Sequence, residues 1–372
     1  MTTKTLSHQE LGIQLDLYSF SEVSPGAPFW HPKGMVIFKE LEKLIREVLD
    51  KQEYQEISTP IMVRSDLFKK SGHFEFYKDM MFTLREDEQT FVLKPMNCPE
   101  SAVIYSSKIR SWRDLPLRFS EIGRLHRKEL SGVLNGLFRV RQITMDDAHI
   151  YASQDQMLSE IDTLIILINN FYKIFNFKVS YHLATRPENA LGNKELWDKA
   201  EKALAKALEK NKIKYEIQPG EGAFYGPKIE AHVKDSLDRS WQLGTIQVDF
   251  NLAESLNLNF ANKKGKKEKP VVIHRALFGS FERFIGILVE NYQGAFPTWL
   301  SPVQVKILSV SEKHENYALK ICGELKNNNI RAEVNNDNET IGKKIREAEM
   351  EKIPYILVVG DREEKNETVA VR

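Results

Sequence analysis

The sequence predicts an α+β domain with a largely antiparallel sheet, followed by a small α/β domain. In residues 1–299, strand-like and helix-like segments follow each other irregularly. Beyond the turn-rich segment 297–302 they alternate regularly, which is the βαβαβ pattern of an α/β unit: strand 303–310, helix 312–328, strand 330–334, helix 340–351 and strand 355–359. We therefore predict two domains, 1–299 and 300–372.

The composition excludes several classes of protein. Among 372 residues, 42% are hydrophobic, which is enough to bury cores and excludes wholesale disorder. The 53 Lys and Arg against 52 Asp and Glu give a net charge of +1, so any RNA contact must come from local patches. Two cysteines exclude a disulfide scaffold and favour a reducing compartment. The first twenty residues lack the apolar core of a signal peptide, and we expect a cytoplasmic protein with no membrane contact.

The elements of the first domain are predicted from periodicity. Apolar residues recur at helical spacing from Ile37 to Leu49, and Glu56–Val63 has the composition of a strand whose Pro60 fits only an edge or an interface. The lysine-rich segment 262–269 is most simply a solvated hairpin loop, with an RNA contact as the alternative. The other predicted elements are strands 90–93, 245–250 and 271–273, and helices 155–175, 194–210 and 281–292.

Three segments carry side chains suited to chemistry. In the first, 119–141, two predicted strands flank a polar loop, and Arg127, Arg139 and Arg141 could bind phosphates. A charged hairpin with Arg–Glu pairs explains the same pattern. In the third, 276–283, the small residues Gly279 and Ser280 would let a flat ligand approach, with Arg283 stacking over it. Tight packing of a helix on the sheet is the alternative.

The second segment, 146–149, could contribute to a metal site. Adjacent acids on a strand point to opposite faces, so at most one of Asp146 and Asp147 can neighbour His149. With Cys98 and His274, His149 could form a set of one thiolate and two imidazoles that leaves a fourth position open, as in catalytic zinc sites. A histidine satisfied within the core is the alternative.

Together these segments resemble the class II aminoacyl-tRNA synthetases, and closely the threonyl-tRNA synthetase family. Motif 1 resembles the helix from Gly34 with the strand that ends in Ser58-Thr59-Pro60, motif 2 resembles Arg127–Arg141, and motif 3 resembles Gly279–Arg283. The resemblance runs from about Leu11 to the end, and it includes Pro28–Pro32, Gly72-His73, Leu93–Pro99, Arg113–Arg118, Asp146–His149, Glu221–Lys228 and Phe296–Leu300.

The resemblance implies a threonine–tRNA ligase, which activates L-threonine with ATP and transfers it to tRNA(Thr). It implies a zinc ion whose open positions take the amino group and hydroxyl of threonine, so that valine is rejected because it lacks the oxygen. It also implies Mg²⁺ with ATP, and a homodimer formed through motif 1. The implied binding residues are Cys98, His149 and His274 for zinc; Asp147, Tyr225, Thr245 and Gln247 for threonine; and Arg127, Glu129, Arg139, Gln242, Ser280 and Arg283 for ATP. The implied catalytic residues are Arg127, Arg283 and His73, of which His73 would act in the transfer to tRNA. The C-terminal domain would bind the anticodon through Asn338, Arg346, Glu363 and Arg372.

The chain departs from the family at several positions. Glu100-Ser101 stands where many members have Gly-His, and Ile143 stands where a Phe commonly stacks on adenine. Further departures are Asn135 for His, Met145 for Gln and Lys352 for Arg. The editing domain that most bacterial members carry before the core is not expected in this chain, nor is the family's closing C-terminal helix.

Two alternatives stay open beside the ligase. One is a synthetase-like paralogue that binds RNA or amino acids without charging tRNA, although the complete set of motif residues argues against it. The other is a synthetase for serine or proline. Proline suits a metal site badly, whereas serine has the same amino and hydroxyl groups as threonine. Because a missing methyl group costs only about 1–3 kcal/mol, some activation of serine is predicted.

Overall fold

The computed structural model describes residues 5–235 and 237–372. Its helices are α1 (His8–Gln14), α2 (Pro32–Asp50), α3 (Ser65–Lys70), α4 (His73–Tyr77), α5 (Cys98–Ser106), α6 (Met157–Lys173), α7 (Lys194–Lys210), α8 (Asn251–Ser255), α9 (Phe281–Tyr292), α10 (Glu315–Asn327), α11 (Ile341–Met350) and α12 (Asp361–Lys365). No helix of the described residues is long and apolar enough to cross a membrane.

The strands form five sheets in the described residues. They are β1 (Tyr18–Ser19), β2 (Phe29–Trp30), β3 (Gln55–Glu56), β4 (Met62–Arg64), β5 (Phe82–Glu86), β6 (Gln89–Leu93), β7 (Leu117–His126), β8 (Gln142–Ala152), β9 (Val179–Ala184), β10 (Tyr215–Gln218), β11 (Lys228–Lys234), β12 (Ser240–Asp249), β13 (Phe260–Ala261), β14 (Lys267–Glu268), β15 (Val271–Ala276), β16 (Val305–Ser309), β17 (Ala332–Asn335), β18 (Tyr355–Val359) and β19 (Ala370–Val371).

The chain divides into two compact units. One unit, which we call the large-sheet unit, comprises Ser24–Ala27 and Ile45–Phe284; the other comprises the described residues up to Val23, Pro28–Leu44 and Ile285–Arg372. The predicted boundary at residues 299 and 300 stays a prediction.

An eight-stranded sheet forms the centre of the large-sheet unit, in the order β10-β9-β11-β12-β15-β8-β7-β3. Only its outermost pairs, β10 with β9 and β3 with β7, are parallel. The prediction of a largely antiparallel sheet is therefore confirmed. The central strand β15 is buried along its whole length, as expected of a strand covered on both faces.

Amphipathic sequences explain the long helices of this unit. In α7 the side chain of Asn193 accepts a hydrogen bond from the backbone N–H of Leu196 (2.9 Å), which caps the first turn. Its buried residues recur every three or four positions from Trp197 to Leu208, and α6 follows the same rule from Met157 to Tyr172.

The C-terminal part of the other unit contains a four-stranded sheet in the order β17-β16-β18-β19. Strands β17, β16 and β18 are parallel, and α10 and α11 connect them, so the predicted βαβαβ pattern is confirmed. Strand β19 adds an antiparallel edge, which the sequence did not predict.

Two predicted strands are wrong. The stretch Glu56–Val63 is not continuous, because it divides into β3 and β4 on either side of the segment that contains Pro60. Residues Phe138–Arg141 are not a strand, and β8 begins only at Gln142. In contrast, the segment 262–269 forms the predicted hairpin: residues 262–266 are the loop between β13 and β14, β14 itself follows, and residues 263–268 are exposed.

Candidate active site

A row of three polar side chains crosses the middle of the large sheet. Gln247 on β12 pairs with His274 on β15, and His274 pairs with His149 on β8. The two imidazole rings lie 5.0 Å apart, centroid to centroid, and are almost perpendicular. Asp147 precedes His149 by two positions and therefore shares its face of the sheet. Antiparallel register thus brings together residues that are far apart in the sequence.

Cys98 joins the two histidines from outside the sheet. It is the first residue of α5, and its thiol and one ring nitrogen of each histidine lie within 4.8 Å of one another. All three residues are buried. Two further side chains contact this set: Nε2 of His73 lies 3.1 Å from the Cys98 Sγ, and Nε2 of His274 lies 3.2 Å from a carboxylate oxygen of Asp249.

This donor set fits a zinc ion. Burial lowers the pKa of His149 far below its usual value, which keeps the imidazole neutral, the form that binds metals. Burial also raises the pKa of the Cys98 thiol, so a thiolate there needs a nearby cation. Asp249 supplies the kind of carboxylate that commonly orients a metal-binding histidine. Three nitrogen and sulfur donors leave one position of a tetrahedral ion for another ligand.

Asp147 is held by Asn97. The Asn97 side-chain amide donates to the Asp147 carboxylate at 2.7 Å, and Asn97 itself is fully buried. Asp147 faces the cavity but lies deep in the protein, and this burial raises its pKa. Gly123 on β7 makes room for Asn97, because a Cβ at that position would lie 2.4 Å from the Asn97 amide nitrogen.

Asp146 points away from this group, as the alternation along a strand predicts. Its carboxylate accepts from the Arg275 guanidinium (3.1 Å) and from the backbone N–H groups of Leu277 and Phe278 (2.7 and 2.9 Å). Asp146 therefore holds the segment that leads into Gly279 and Ser280.

Three arginines converge at the other end of the site. Arg283 donates to the backbone carbonyls of Gln242 and Phe138, both at 3.1 Å. Its pKa is lowered by burial and by the charges of Arg127 and Arg139. Glu129 partly balances these charges through an ion pair with Arg139 (2.9 Å). Such a cluster of guanidinium groups is suited to phosphates.

An aromatic wall connects the two ends. The Tyr225 ring stacks on His73 at 6.0 Å, and its hydroxyl donates to the side chain of Gln247. Phe224 stacks on Phe76 at 4.3 Å. Together these elements enclose a cavity of about 730 Å³, large enough for a nucleotide and a small amino acid.

Most of the predicted site residues line this one cavity. They are Cys98, Arg127, Glu129, Arg139, Asp147, His149, Tyr225, Gln242, Thr245, Gln247, His274, Ser280 and Arg283. Among the residues predicted for catalysis and for binding threonine, ATP and zinc, only His73 does not line it: this residue is buried, with Nε2 against the Cys98 Sγ and Nδ1 2.9 Å from the Ser71 hydroxyl. Burial lowers the pKa of His73 to about 4, so this ring is neutral at pH 7.

The four predicted anticodon residues lie in the other unit. Asn338 and Arg346 are exposed. The Glu363 carboxylate accepts from the backbone N–H of Gly360 (3.1 Å), and the Arg372 Nε lies 3.6 Å from Glu349. Glu363 therefore stabilises the start of α12.

Three departures from the family lie in the cavity wall or in helix α5 beside it. Ile143 and Met145 both line it. Glu100 is buried in α5, and neither of its carboxylate oxygens has a hydrogen-bond partner among the described residues. Burial raises the pKa of Glu100 to about 8, so its neutral form predominates at pH 7.

Sequence reasoning did not assign roles to Asn97, Gly123 and Asp249. Asn97 lies beside Cys98 in the sequence, and a polar residue next to a candidate ligand is a usable signal. Gly123 and Asp249 carry no such signal in the sequence, because their roles depend on neighbours that only the fold brings together.

The sequence matches two protein-family models and several known ligases. Residues 74–292 match the tRNA synthetase class II core domain (G, H, P, S and T), and residues 304–372 match an anticodon binding domain. Threonine–tRNA ligases from Carboxydothermus hydrogenoformans and Acetivibrio thermocellus are 51% and 52% identical over 369 residues, 99% of this chain. The chain spans 58% of the length of each of these relatives.

Among solved structures, the RNA binding domain of threonyl-tRNA synthetase from Cryptosporidium parvum Iowa II superposes with a TM-score of 0.96. It is 40% identical, and the match covers 99% of this chain and 92% of that one. The chain therefore belongs to the class II aminoacyl-tRNA synthetases and, among them, to the threonyl-tRNA synthetase family.

Proposed function

We propose that the chain catalyses the ligation of threonine to tRNA(Thr). The threonine carboxylate attacks the α-phosphorus of ATP, the bond to pyrophosphate breaks, and threonyl-adenylate forms. A hydroxyl of the terminal ribose of tRNA then attacks the threonyl carbonyl, and AMP leaves. One observation carries the proposal: the same cavity presents a Cys-His-His set at one end and a cluster of arginines at the other.

The arginine end is suited to ATP with its Mg²⁺. Arg127 would contact the α-phosphate and stabilise the negative charge that develops there during the attack. Arg139 and Arg283 would hold the nucleotide bent, and Arg283 would stack on adenine, beside Gln242 and Ser280. The Glu129 carboxylate would accept a hydrogen bond from the adenine amino group. The backbone carbonyls that bind Arg283 support this role, since they fix its guanidinium before ATP arrives.

The other end is suited to threonine. Asp147 would bind the ammonium group, and Tyr225, Thr245 and Gln247 would line the pocket. Cys98, His149 and His274 would hold Zn²⁺, which supplies a Lewis acid that binds the amino and hydroxyl groups of the substrate. The contact of Asn97 with Asp147 supports this assignment, because it fixes the carboxylate that the ammonium would meet.

His73 would assist the transfer step as a proton acceptor. Its neutral ring is the form required. Because its Nε2 lies 3.1 Å from the Cys98 Sγ, this role requires the His73 ring to give up that contact when tRNA binds.

The remaining assignments concern the whole protein. We propose a cytoplasmic homodimer that pairs through motif 1, with domains 1–299 and 300–372. Asn338, Arg346, Glu363 and Arg372 would contact the anticodon. Sedimentation of the purified chain checks the dimer, since a single species of monomer mass at micromolar concentration would contradict it.

Amino-acid-dependent ATP–pyrophosphate exchange tests the function. We expect exchange with threonine, weaker exchange with serine and none with valine. Serine that reacts no faster than valine would contradict this view of the pocket. The absence of exchange with every amino acid from a folded, zinc-loaded sample would favour the non-catalytic paralogue.

A further inference from the structure

A basic surface lies on the large-sheet unit, apart from the cavity. It combines the segment after α5 with β14 and the hairpin loop that precedes it. We call it the Trp112 basic face, and its cations are Lys108, Arg110, Arg113, Lys263, Lys264, Lys266 and Lys267. All of these except Arg110 are exposed.

Backbone and side-chain contacts join the two segments. The backbone N–H of Ala261 donates to the Arg110 carbonyl at 2.9 Å, and Ser111 and Ala261 form a parallel β-bridge. The Trp112 ring lies between two cations, with the Arg113 guanidinium carbon at 5.0 Å and Lys263 Nζ at 5.1 Å from its centroid. The face is therefore a defined surface and not two independent loops.

The face is strongly positive in a nearly neutral protein. Its seven cations are accompanied by two acids, Asp114 and Glu268, which gives 7 − 2 = +5, whereas the whole chain carries +1. Ser111 and Asn262 donate hydrogen bonds to these two acids (2.6 Å each). In the described part of the chain, Lys264, Lys266 and Lys267 form no ion pair. Like charges held this close repel each other, so an anionic partner would stabilise the surface.

The face lies one helix length from the proposed zinc ligands. Helix α5 begins at Cys98 in the cavity and ends at Ser106, a rise of about 13 Å. Lys108 follows two residues later, and the Arg110 guanidinium lies over the Tyr105 ring of α5 at 5.5 Å. Phe260, next to the hairpin loop, packs in the same core cluster as Cys98. Helix α5 and this core cluster therefore connect the face directly with the residues of the cavity.

We propose that the Trp112 basic face binds backbone phosphates of the tRNA whose 3′ end enters the cavity. This inference rests on the proposed function and extends it to a second surface. Lysines on a loop suit this partner, because they are point charges on flexible stems that contact phosphates without reading sequence. An anionic membrane is a poorer fit, because only Ile109 (99% exposed) and Trp112 (37% exposed) offer apolar area there.

The test compares the full chain with the variant K264A/K266A/K267A, which leaves the contact of Lys263 with Trp112 intact. The dissociation constant for a tRNA(Thr) transcript is measured from about 50 to about 200 mM salt. We expect the variant to bind about tenfold more weakly at the lowest salt, with a salt slope that is smaller by about 2. Threonine-dependent pyrophosphate exchange should equal that of the parent, because no tRNA takes part in it.

The matched control is K202A/K206A/K214A, which removes three exposed lysines from another part of the large-sheet unit. The proposal is overturned if the first variant binds tRNA like the parent, or if the control loses as much affinity. It is also overturned if the first variant loses binding to phosphatidylserine vesicles while its tRNA affinity is unchanged. Absence of exchange in all three proteins would contradict the proposed function alone, since the binding comparison still decides the role of the face.

Discussion

At the residue scale, the position of Asp147 on β8 depends on Gly123 on the neighbouring strand β7. Asn97 lies against Gly123, and Asn97 in turn fixes Asp147 through its 2.7 Å hydrogen bond. Asn97 is fully buried, so it has little space to move aside. The carboxylate proposed for the threonine ammonium is therefore positioned by packing at Gly123.

Gly123→Ala should impair the use of threonine more than the use of ATP. The added methyl group would lie 2.4 Å from the Asn97 amide nitrogen and displace Asn97 from Asp147. We expect kcat/KM for threonine in pyrophosphate exchange to fall about tenfold to a hundredfold, with KM for ATP near that of the parent. Gly323→Ala in α10 is the matched control, because nothing lies within 4 Å of a Cβ there. Equal losses for threonine and ATP would contradict a role through Asp147.

At the scale of elements, two buried carboxylates connect β8 with α9 and with the segment that precedes α9. Asp146 accepts from the backbone N–H groups of Leu277 and Phe278, and Glu282 accepts from the backbone N–H of Thr144 at 2.9 Å. Both acids are buried, and burial raises the pKa of Glu282 from 4.5 to about 7. The connection between these elements should therefore depend on pH.

The sign of this dependence follows from the raised pKa of Glu282. In the unfolded chain the Glu282 carboxyl group loses its proton near pH 4.5, whereas in the folded chain the carboxyl group keeps its proton up to about pH 7. Its stabilisation is therefore complete below pH 4.5 and is lost as the pH rises to about 7. Glu282→Gln, which cannot ionise, should gain stability relative to the parent by about 3 kcal/mol across this window. Urea unfolding at several pH values measures the difference, and a difference that is constant with pH would contradict the assignment.

Sequence patterns predicted the long elements well and the short ones badly. Helices α6, α7 and α9 were predicted because each presents a continuous apolar face, and the βαβαβ pattern was equally regular. The stretch 56–63 divides because Pro60 lacks the N–H that a continuous ladder needs. Residues 138–141 are held by turn hydrogen bonds and by side chains from elsewhere: the Phe138 carbonyl accepts from Arg283, and Arg139 pairs with Glu129. No local sequence pattern predicts such tertiary contacts.

At the scale of the whole molecule, Arg331 fastens the segment near the predicted domain boundary. Its guanidinium donates to the backbone carbonyls of Trp299 (2.6 Å) and Ser301 (3.0 Å) and pairs with Glu40 on α2 (2.5 Å). This fork geometry uses three different nitrogens, which an ammonium group cannot reproduce.

Arg331→Lys should therefore destabilise the protein although the charge is kept. Losing two of the three contacts should lower the free energy of unfolding by about 2 kcal/mol. Arg362→Lys, at an exposed position of α12, is the control and should change little. Urea unfolding checks both variants, and an Arg331→Lys protein as stable as the parent would show that the fork contributes no stability.

The candidate site could be predicted only in part from the residues alone. Cys98, His149 and His274 are distant in sequence, so their spacing alone favoured a histidine satisfied within the core over a metal site. The register that pairs His149 with His274 is a property of the sheet, and the position of Cys98 is a property of α5 against it. The resemblance to a family supplied the grouping that the spacing lacked.

The most direct measurement is threonine-dependent pyrophosphate exchange on one sample before metal removal, after it and after zinc is returned. Zinc content is determined at each stage, and Cys98→Ser is carried through in parallel. We expect about one zinc per chain, loss of exchange with the metal and recovery on its return, with little zinc bound by Cys98→Ser. Full exchange from metal-free protein, or a Cys98→Ser variant that keeps both its zinc and its activity, would contradict the proposed use of Cys98, His149 and His274.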